Sequence, residues 1–188
     1  MLGASHMPED GAGGRRVKHT LVAWVEDKPG VLNRVASLFR RRNFNIESLT
    51  VGHTEARGIS RMTIVVDTQG RGSHLVTQNL RKLINVIKVQ DVTTAPTVVR
   101  DLALIKVRAT PETRSEVMQL VHIFRARVVD VAPDSVIIEV TGTEDKIDSL
   151  AELLRPLGIL EMARTGRVAM VRGRGSNGYP GDLAEGRG

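Results

Sequence analysis

The residues whose types and spacing best suit chemistry form one short run, Asp27-Lys28-Pro29-Gly30-Val31-Leu32. Proline followed by glycine is the order of a type II turn, in which glycine supplies the positive φ. A helix opening straight after such a turn presents the unpaired N–H groups of Gly30, Val31 and Leu32. These favour a carboxylate by about 0.3–1 kcal/mol. Asp27, just before the turn, is placed to take an ammonium group. A carboxylate site beside an ammonium site is what a free α-amino acid requires. On pattern alone the same run also reads as a plain tight turn with Asp27 as a helix cap, the commoner use of these residue types.

No second constellation competes with it. The chain of 188 residues has no cysteine, which excludes disulfides, thiolate metal sites and thiol catalysis and fits a reducing cytoplasm. Five histidines (His6, His19, His53, His74 and His122) fall singly, without metal-ligand spacing or a neighbouring carboxylate pattern. No serine occupies a nucleophile-elbow context, and no glycine-rich loop ends in Lys-Ser or Lys-Thr. Gly173-Arg174-Gly175-Ser176-Asn177-Gly178 matches a dinucleotide fingerprint, but proline and glycine follow where the phosphate-binding helix would have to start. Neither catalytic nor metal-ligating residues are therefore expected.

A net charge of +6 invites a nucleic-acid partner. The basic residues are nevertheless scattered among acids, and the densest run, Arg40-Arg41-Arg42, falls where a helix should end and its dipole favours cations. Aromatics make up 3% of the chain, too few for a base-stacking platform. No apolar stretch approaches the ~20 residues that cross a bilayer, and no signal-peptide core stands at the start. A soluble cytoplasmic protein without nucleic-acid or membrane partners is expected.

The elements that must position the turn follow from periodicity. Thr20 to Glu26 is apolar on both alternating faces, with Leu21, Ala23 and Val25 on one and Val22 and Trp24 on the other, as in a strand covered on both sides. After the turn, Val31, Leu32, Val35, Ala36, Leu38 and Phe39 give an amphipathic helix. Strands are predicted over 45–53 and 59–67 around a hairpin loop, Thr54 to Gly58. A second helix carries Val76, Leu80, Leu83 and Ile84, and a strand over 86–93 closes the unit. The order is strand, helix, strand, strand, helix, strand, the ferredoxin-like βαββαβ motif.

The second half repeats it. A strand over 101–109 leads to a helix opened by Thr110-Pro111, with Val117, Leu120, Val121 and Phe124 on one face. Strands over 127–131 and 136–141 flank the turn Pro133-Asp134-Ser135. Thr143 caps a last helix bearing Ile147, Leu150, Ala151 and Leu154; Pro156 and Gly158 stop it, and one final strand lies within 159–171. The fold class is α+β, two tandem ferredoxin-like domains over 19–95 and 100–172. They are joined near Thr94-Ala95-Pro96-Thr97 and flanked by disordered segments 1–18, partly a cloning scar, and 173–188, a Gly-rich tail.

Glu26-Asp27-Lys28-Pro29-Gly30-Val31-Leu32 followed by Arg34-Val35-Ala36 and Leu38-Phe39 resembles the opening of an ACT domain, an amino-acid-binding module. Its continuation, Asn43-Phe44-Asn45-Ile46-Glu47-Ser48-Leu49-Thr50-Val51 and Ser60-Arg61-Met62-Thr63-Ile64-Val65, resembles the small, regulatory subunit of acetolactate synthase (acetohydroxyacid synthase). So do Arg100-Asp101-Leu102-Ala103-Leu104-Ile105-Lys106-Val107 and Arg164-Thr165-Gly166-Arg167-Val168-Ala169 in the second half. The likeness runs from about Lys18 to Gly173.

That resemblance implies a non-catalytic subunit that activates a catalytic large subunit and confers feedback inhibition, usually by valine, in branched-chain amino-acid biosynthesis. Thiamine diphosphate, Mg²⁺ and FAD belong to the catalytic partner, and this chain carries no cofactor. ACT domains of the family form a homodimer with the effector between protomers. On this sequence, Gly30, Val31 and Leu32 would offer N–H groups to the valine carboxylate and Asp27 would take the ammonium. Asn45 would arrive from the other protomer, and Leu32 and Ile46 would shape the pocket. Asp27 stands where well-known valine-sensitive members carry asparagine. Leucine or isoleucine would also elicit some response, because one methylene discriminates by only ~1–3 kcal/mol. Rival readings are a stand-alone amino-acid sensor acting on another enzyme, an RNA-binding βαββαβ module, which would need aromatics on its central strands, and an acylphosphatase-type enzyme, whose phosphate loop the turn matches poorly.

Overall fold

The computed structural model describes residues 18–68 and 72–173. The expected disordered ends therefore lie outside the described residues, except Lys18, which opens the first strand, and Gly173.

The first unit comprises β1 (Lys18–Glu26), α1 (Val31–Arg41), β2 (Asn45–His53), β3 (Ile59–Asp67), α2 (Ser73–Arg81) and β4 (Val86–Asp91). Its antiparallel sheet has the strand order β2-β3-β1-β4. The second unit comprises β5 (Thr97–Arg108), α3 (Arg114–Ile123), β6 (Arg127–Val131), β7 (Ser135–Gly142), α4 (Glu144–Leu154), β8 (Ile159–Arg164) and β9 (Val168–Val171), with the order β6-β7-β5-β8 and β9 paired to the start of β5. These are two tandem βαββαβ units, as the alternation of apolar periods requires.

Each unit has a core between its helices and one sheet face. In the first, Leu21, Ala23 and Val25 of β1 and Met62, Ile64 and Val66 of β3 meet Val31, Val35 and Phe39 of α1 and Val76 and Leu80 of α2. In the second, Ala103, Ile105 and Val107 of β5 meet Val117, Ile147, Leu150 and Leu154. Fully burying a side chain of this kind contributes about 1.5–3 kcal/mol, so the two helical layers account for much of the driving force.

A third core joins the units. Val22, on the other face of β1, is fully buried against Val92 and Ala169, with Trp24, Ala95, Val99 and Val171 around them. The cover is a two-stranded ribbon of Thr97–Arg100 and Val168–Val171. The expected two-sided burial of the first strand is present, and a segment more than 140 residues downstream supplies it.

Four sequence expectations need correction. The final strand is two: β8 pairs with β5 from Ala103 to Val107, then Thr165–Arg167 leaves the ladder before β9 resumes opposite Arg100. The first strand of the second unit starts at Thr97 because its first four residues pair with β9 and its later ones with β7 and β8. Helix α2 ends at Arg81, and Ile84 is exposed instead of sharing the apolar face; the Leu83 and Val86 N–H groups donate to the Leu80 and Leu83 carbonyls, turning the chain there. Helix α3 opens at Arg114, not at Thr110-Pro111, because the Thr110 carbonyl accepts from both Thr113 and Arg114 in a separate turn closed by Thr113 Oγ1 on the Thr110 N–H.

Gly166, in the segment between β8 and β9, lies against β2. A Cβ there would sit 2.5 Å from Ser48 Oγ, 2.5 Å from Thr50 Oγ1 and 3.2 Å from the Leu49 carbonyl carbon. Gly166→Ala is therefore expected to lower stability by about 1–3 kcal/mol, the ordinary cost of overpacking, and urea unfolding measures it.

Candidate functional site

The run Lys28-Pro29-Gly30-Val31 forms the type II turn its composition prescribes. Gly30 has φ 81° and ψ −4°, and the Val31 N–H donates to the Lys28 carbonyl at 3.4 Å. Gly30 is the N-cap of α1, and its carbonyl accepts from Arg34 N–H at 3.0 Å. The first-turn N–H groups of Leu32 and Asn33 have no carbonyl one turn back within the helix. The Val31 N–H is partly engaged by the turn, so Gly30 and Leu32 are the better-placed donors. Leu32 is about half exposed beside them.

The turn is held by contacts that no local pattern records. The Asn85 carbonyl accepts from Glu26 N–H at 2.9 Å, and Asn85 Nδ2 donates to Glu26 Oε2 at 2.6 Å. Arg34 Nη1 donates to Asn85 Oδ1 at 2.7 Å, and Lys28 Nζ lies 3.1 Å from Glu26 Oε2. The segment after α2 thus braces both the strand end and the helix start. Asp27 donates its N–H to the Gly58 carbonyl at 2.8 Å, and its Oδ2 lies 3.4 Å from His53 Nδ1. His19 likewise lies 3.8 Å from Asp91 Oδ2. Neither histidine has its carboxylate nearby in sequence; strand pairing brings each together.

Asn45 and Ile46 lie elsewhere. Asn45 begins β2 and is exposed; His53 ends it. Along nine residues of strand the two ends are separated by about 26 Å, at ~3.3 Å per residue. Within one chain, then, the structure groups Asp27, Gly30, Val31 and Leu32 at one end of the sheet and places Asn45 at the other. Ile46 is half buried and packs against the first core, leaving its outer part free. Strand β2 is an outer strand of its sheet. If two copies of it pair antiparallel about a twofold axis through Leu49, Asn45 of one falls opposite His53 of the other, next to that copy's Asp27 and Gly30.

The second face of the first sheet is the surface an RNA-recognition module would use. Trp24 stands there between Arg61 and Lys88, whose cationic groups lie 5.5 and 5.3 Å from its ring centroid. Arg61 is withdrawn from water, which lowers its pKa, and it donates to the Ala169 carbonyl. The β5/β9 ribbon covers this face, so its one aromatic residue serves packing between units rather than base stacking. Among the described residues no group of three or more His, Cys, Asp or Glu could hold a metal, and no helix is long and apolar enough to cross a membrane.

Between the units lies a polar cleft of about 360 Å³ lined by Ser48 and Val65 on one side and Asp101, Glu144, Arg164 and Arg167 on the other. Arg164 donates from Nε and Nη2 to Asp101 Oδ2 at 3.1 and 2.7 Å, and from Nη1 to Asp148 Oδ1 at 2.8 Å. Burial opposes the Arg164 charge, but the two carboxylates outweigh it and raise its pKa. Sequence reasoning gave these residues no role, since they come from β2, β3, β5, α4, β8 and the segment after β8.

Comparisons with known proteins agree on both halves of the chain. A profile described as AHAS small subunit-like ACT domain matches residues 21–88, and one described as small subunit of acetolactate synthase matches residues 100–173. A probable acetolactate synthase small subunit of Archaeoglobus fulgidus is 58% identical over 157 residues, covering 84% of this chain and 98% of that one. The acetolactate synthase small subunits of Mycolicibacterium smegmatis and Bacillus subtilis are 52% and 49% identical, covering 82% and 84% of this chain and 91% and 92% of theirs. The crystal structure of the acetolactate synthase small subunit of Thermotoga maritima superposes with a TM-score of 0.79 at 41% identity, covering 84% of this chain and 99% of that one. With both units matched, and with relatives aligned over nearly their whole length, this chain belongs to the family of acetolactate synthase small, regulatory subunits.

Proposed function

We propose that this chain activates a catalytic large subunit of acetolactate synthase and makes it sensitive to feedback inhibition by valine. The regulatory unit, residues 19–95, pairs with a second copy and holds one valine at each junction; residues 100–172 form the second unit. The observation that carries this reading is the split between the two groups of candidate site residues. One end of β2 stands beside anion-binding N–H groups and Asp27, and the other end carries Asn45, so two antiparallel copies supply both groups at each junction. The valine carboxylate takes the N–H groups of Gly30 and Leu32, with Val31 contributing as its turn bond lengthens. Asp27, within reach of His53, takes the ammonium, and Leu32 with the free part of Ile46 receives the side chain. Thiamine diphosphate, Mg²⁺ and FAD reside in the large subunit, and the assembly works in the cytoplasm.

A stand-alone amino-acid sensor serving another enzyme would use the same site. Partner choice separates the two. The chain is expected to co-purify with its large subunit, to raise acetolactate formation above that of the large subunit alone, and to make it fall on adding valine. An unchanged rate would remove the assignment, and activation without valine sensitivity would remove only the effector.

Two substitutions at one position test the site. Gly30→Asp sets a carboxylate at the anion site and is expected to abolish inhibition while leaving activation in place; unchanged calorimetric binding of valine would mean the pocket is elsewhere. Gly30→Ala meets nothing within 4 Å, so its cost is confined to the backbone, about 1–2 kcal/mol for the left-handed conformation. Thermal unfolding should show a modest loss, with valine sensitivity largely kept.

A further inference from the structure

The segment Thr165–Arg167, where β8 breaks off before β9, forms a hook from the second unit into the first. Its base is fixed: the Thr165 N–H donates to the Leu102 carbonyl at 2.9 Å, and the Leu102 N–H donates to Thr165 Oγ1 at 3.0 Å. Its tip, Gly166, lies against β2 with no room for a Cβ. Arg167 then touches three elements at once. Its N–H donates to Ser48 Oγ of β2 at 2.9 Å, Nη1 donates to Thr20 Oγ1 of β1 at 3.1 Å, and Nη2 donates to Glu144 Oε2, at the start of α4, at 2.8 Å.

Where the hook lands matters. Ser48 is three positions from Asn45, and the β2/β3 register shifts between Ile46 and Ser48. A bulge leaves one residue outside the ladder and lets a strand bend locally. The bulge thus separates the Asn45–Ile46 end of β2 from the stretch Ser48–His53, each paired to β3 in its own register. Tightly packed contacts pass a displacement on instead of absorbing it. The Arg167–Glu144 pair is partly exposed, with side-chain accessibilities of 22% and 44%; such a pair adds little to stability, so what its geometry supplies is connection.

We propose that this hook is the coupling element between the two units, with Arg167 the positioning residue through which occupancy of the effector site on β2 reaches α4 and the rest of the second unit. The proposal rests on the functional reading above: it supplies the route by which binding at the first unit becomes inhibition of the large subunit.

The test uses the reconstituted holoenzyme together with calorimetry on the small subunit. Arg167→Ala is expected to keep valine affinity and activation while losing most of the inhibition at saturating valine, because coupling and binding are separate free energies. Arg167→Lys, which replaces two separate guanidinium donors with one ammonium, should fall between Arg167→Ala and the original. Ser48→Ala removes the acceptor of the Arg167 N–H without touching the second unit and should decouple in the same direction. A merely structural role would lower the melting temperature and leave the extent of inhibition unchanged. If both alanine variants are inhibited as fully as the unmodified protein, the coupling role is refuted while the functional reading stands; if Arg167→Ala does not fold, Ser48→Ala decides. An unmodified holoenzyme that ignores valine, leucine and isoleucine overturns the effector claim and the coupling role with it.

Discussion

The structure depends on keeping both faces of one small sheet dry. In the first unit α1 and α2 cover one face, and the other would expose Val22, Val65 and the ring of Trp24. A unit of this size buries too small a fraction of its surface to leave such a face in water. The chain closes it by making β5 long enough to serve two sheets and by splitting the last strand, so that β9 lies over β1. The two units are therefore one packed body, joined by an apolar core and by the polar contacts of Arg61 and Arg167.

That closure decides where ligands can go. With one face under helices and the other under the ribbon, neither face of the first sheet is open to a small molecule, while its ends and outer strands are. The turn at Gly30 stands at one end and Asn45 at the other. A βαββαβ unit that bound RNA would need the face that is here occupied by Val99, Ala169 and Val171. One additional ribbon therefore closes the face that such a module would use.

The polar groups near the turn do mechanical work as well. Glu26, Arg34 and Asn85 form a chain of short hydrogen bonds that fixes the angle between β1 and α1. In the proposed site, N–H donors are effective only when held still, and this brace holds the helix start without occupying the first-turn N–H groups.

By itself the sequence determined what depends on neighbours a few residues apart. Alternation of apolar residues marked β3, the hairpin loop marked its neighbour β2, both with the observed limits, and apolar residues on both faces marked β1. Helical spacing placed Val35, Phe39, Val117, Ile147 and Leu154 inward, and Pro29-Gly30 dictated the positive φ at the start of α1. Only the tertiary structure decided that Ala169 covers Val22, that Arg167 joins Thr20, Ser48 and Glu144, that His53 meets Asp27, and that Asn45 is a strand's length from Gly30. Local sterics and hydrophobic period act within a turn or a strand and leave their mark in the residue pattern. Contacts between segments tens of residues apart, some more than a hundred, are set by which surfaces remain to be covered once those elements exist, and no local pattern records that.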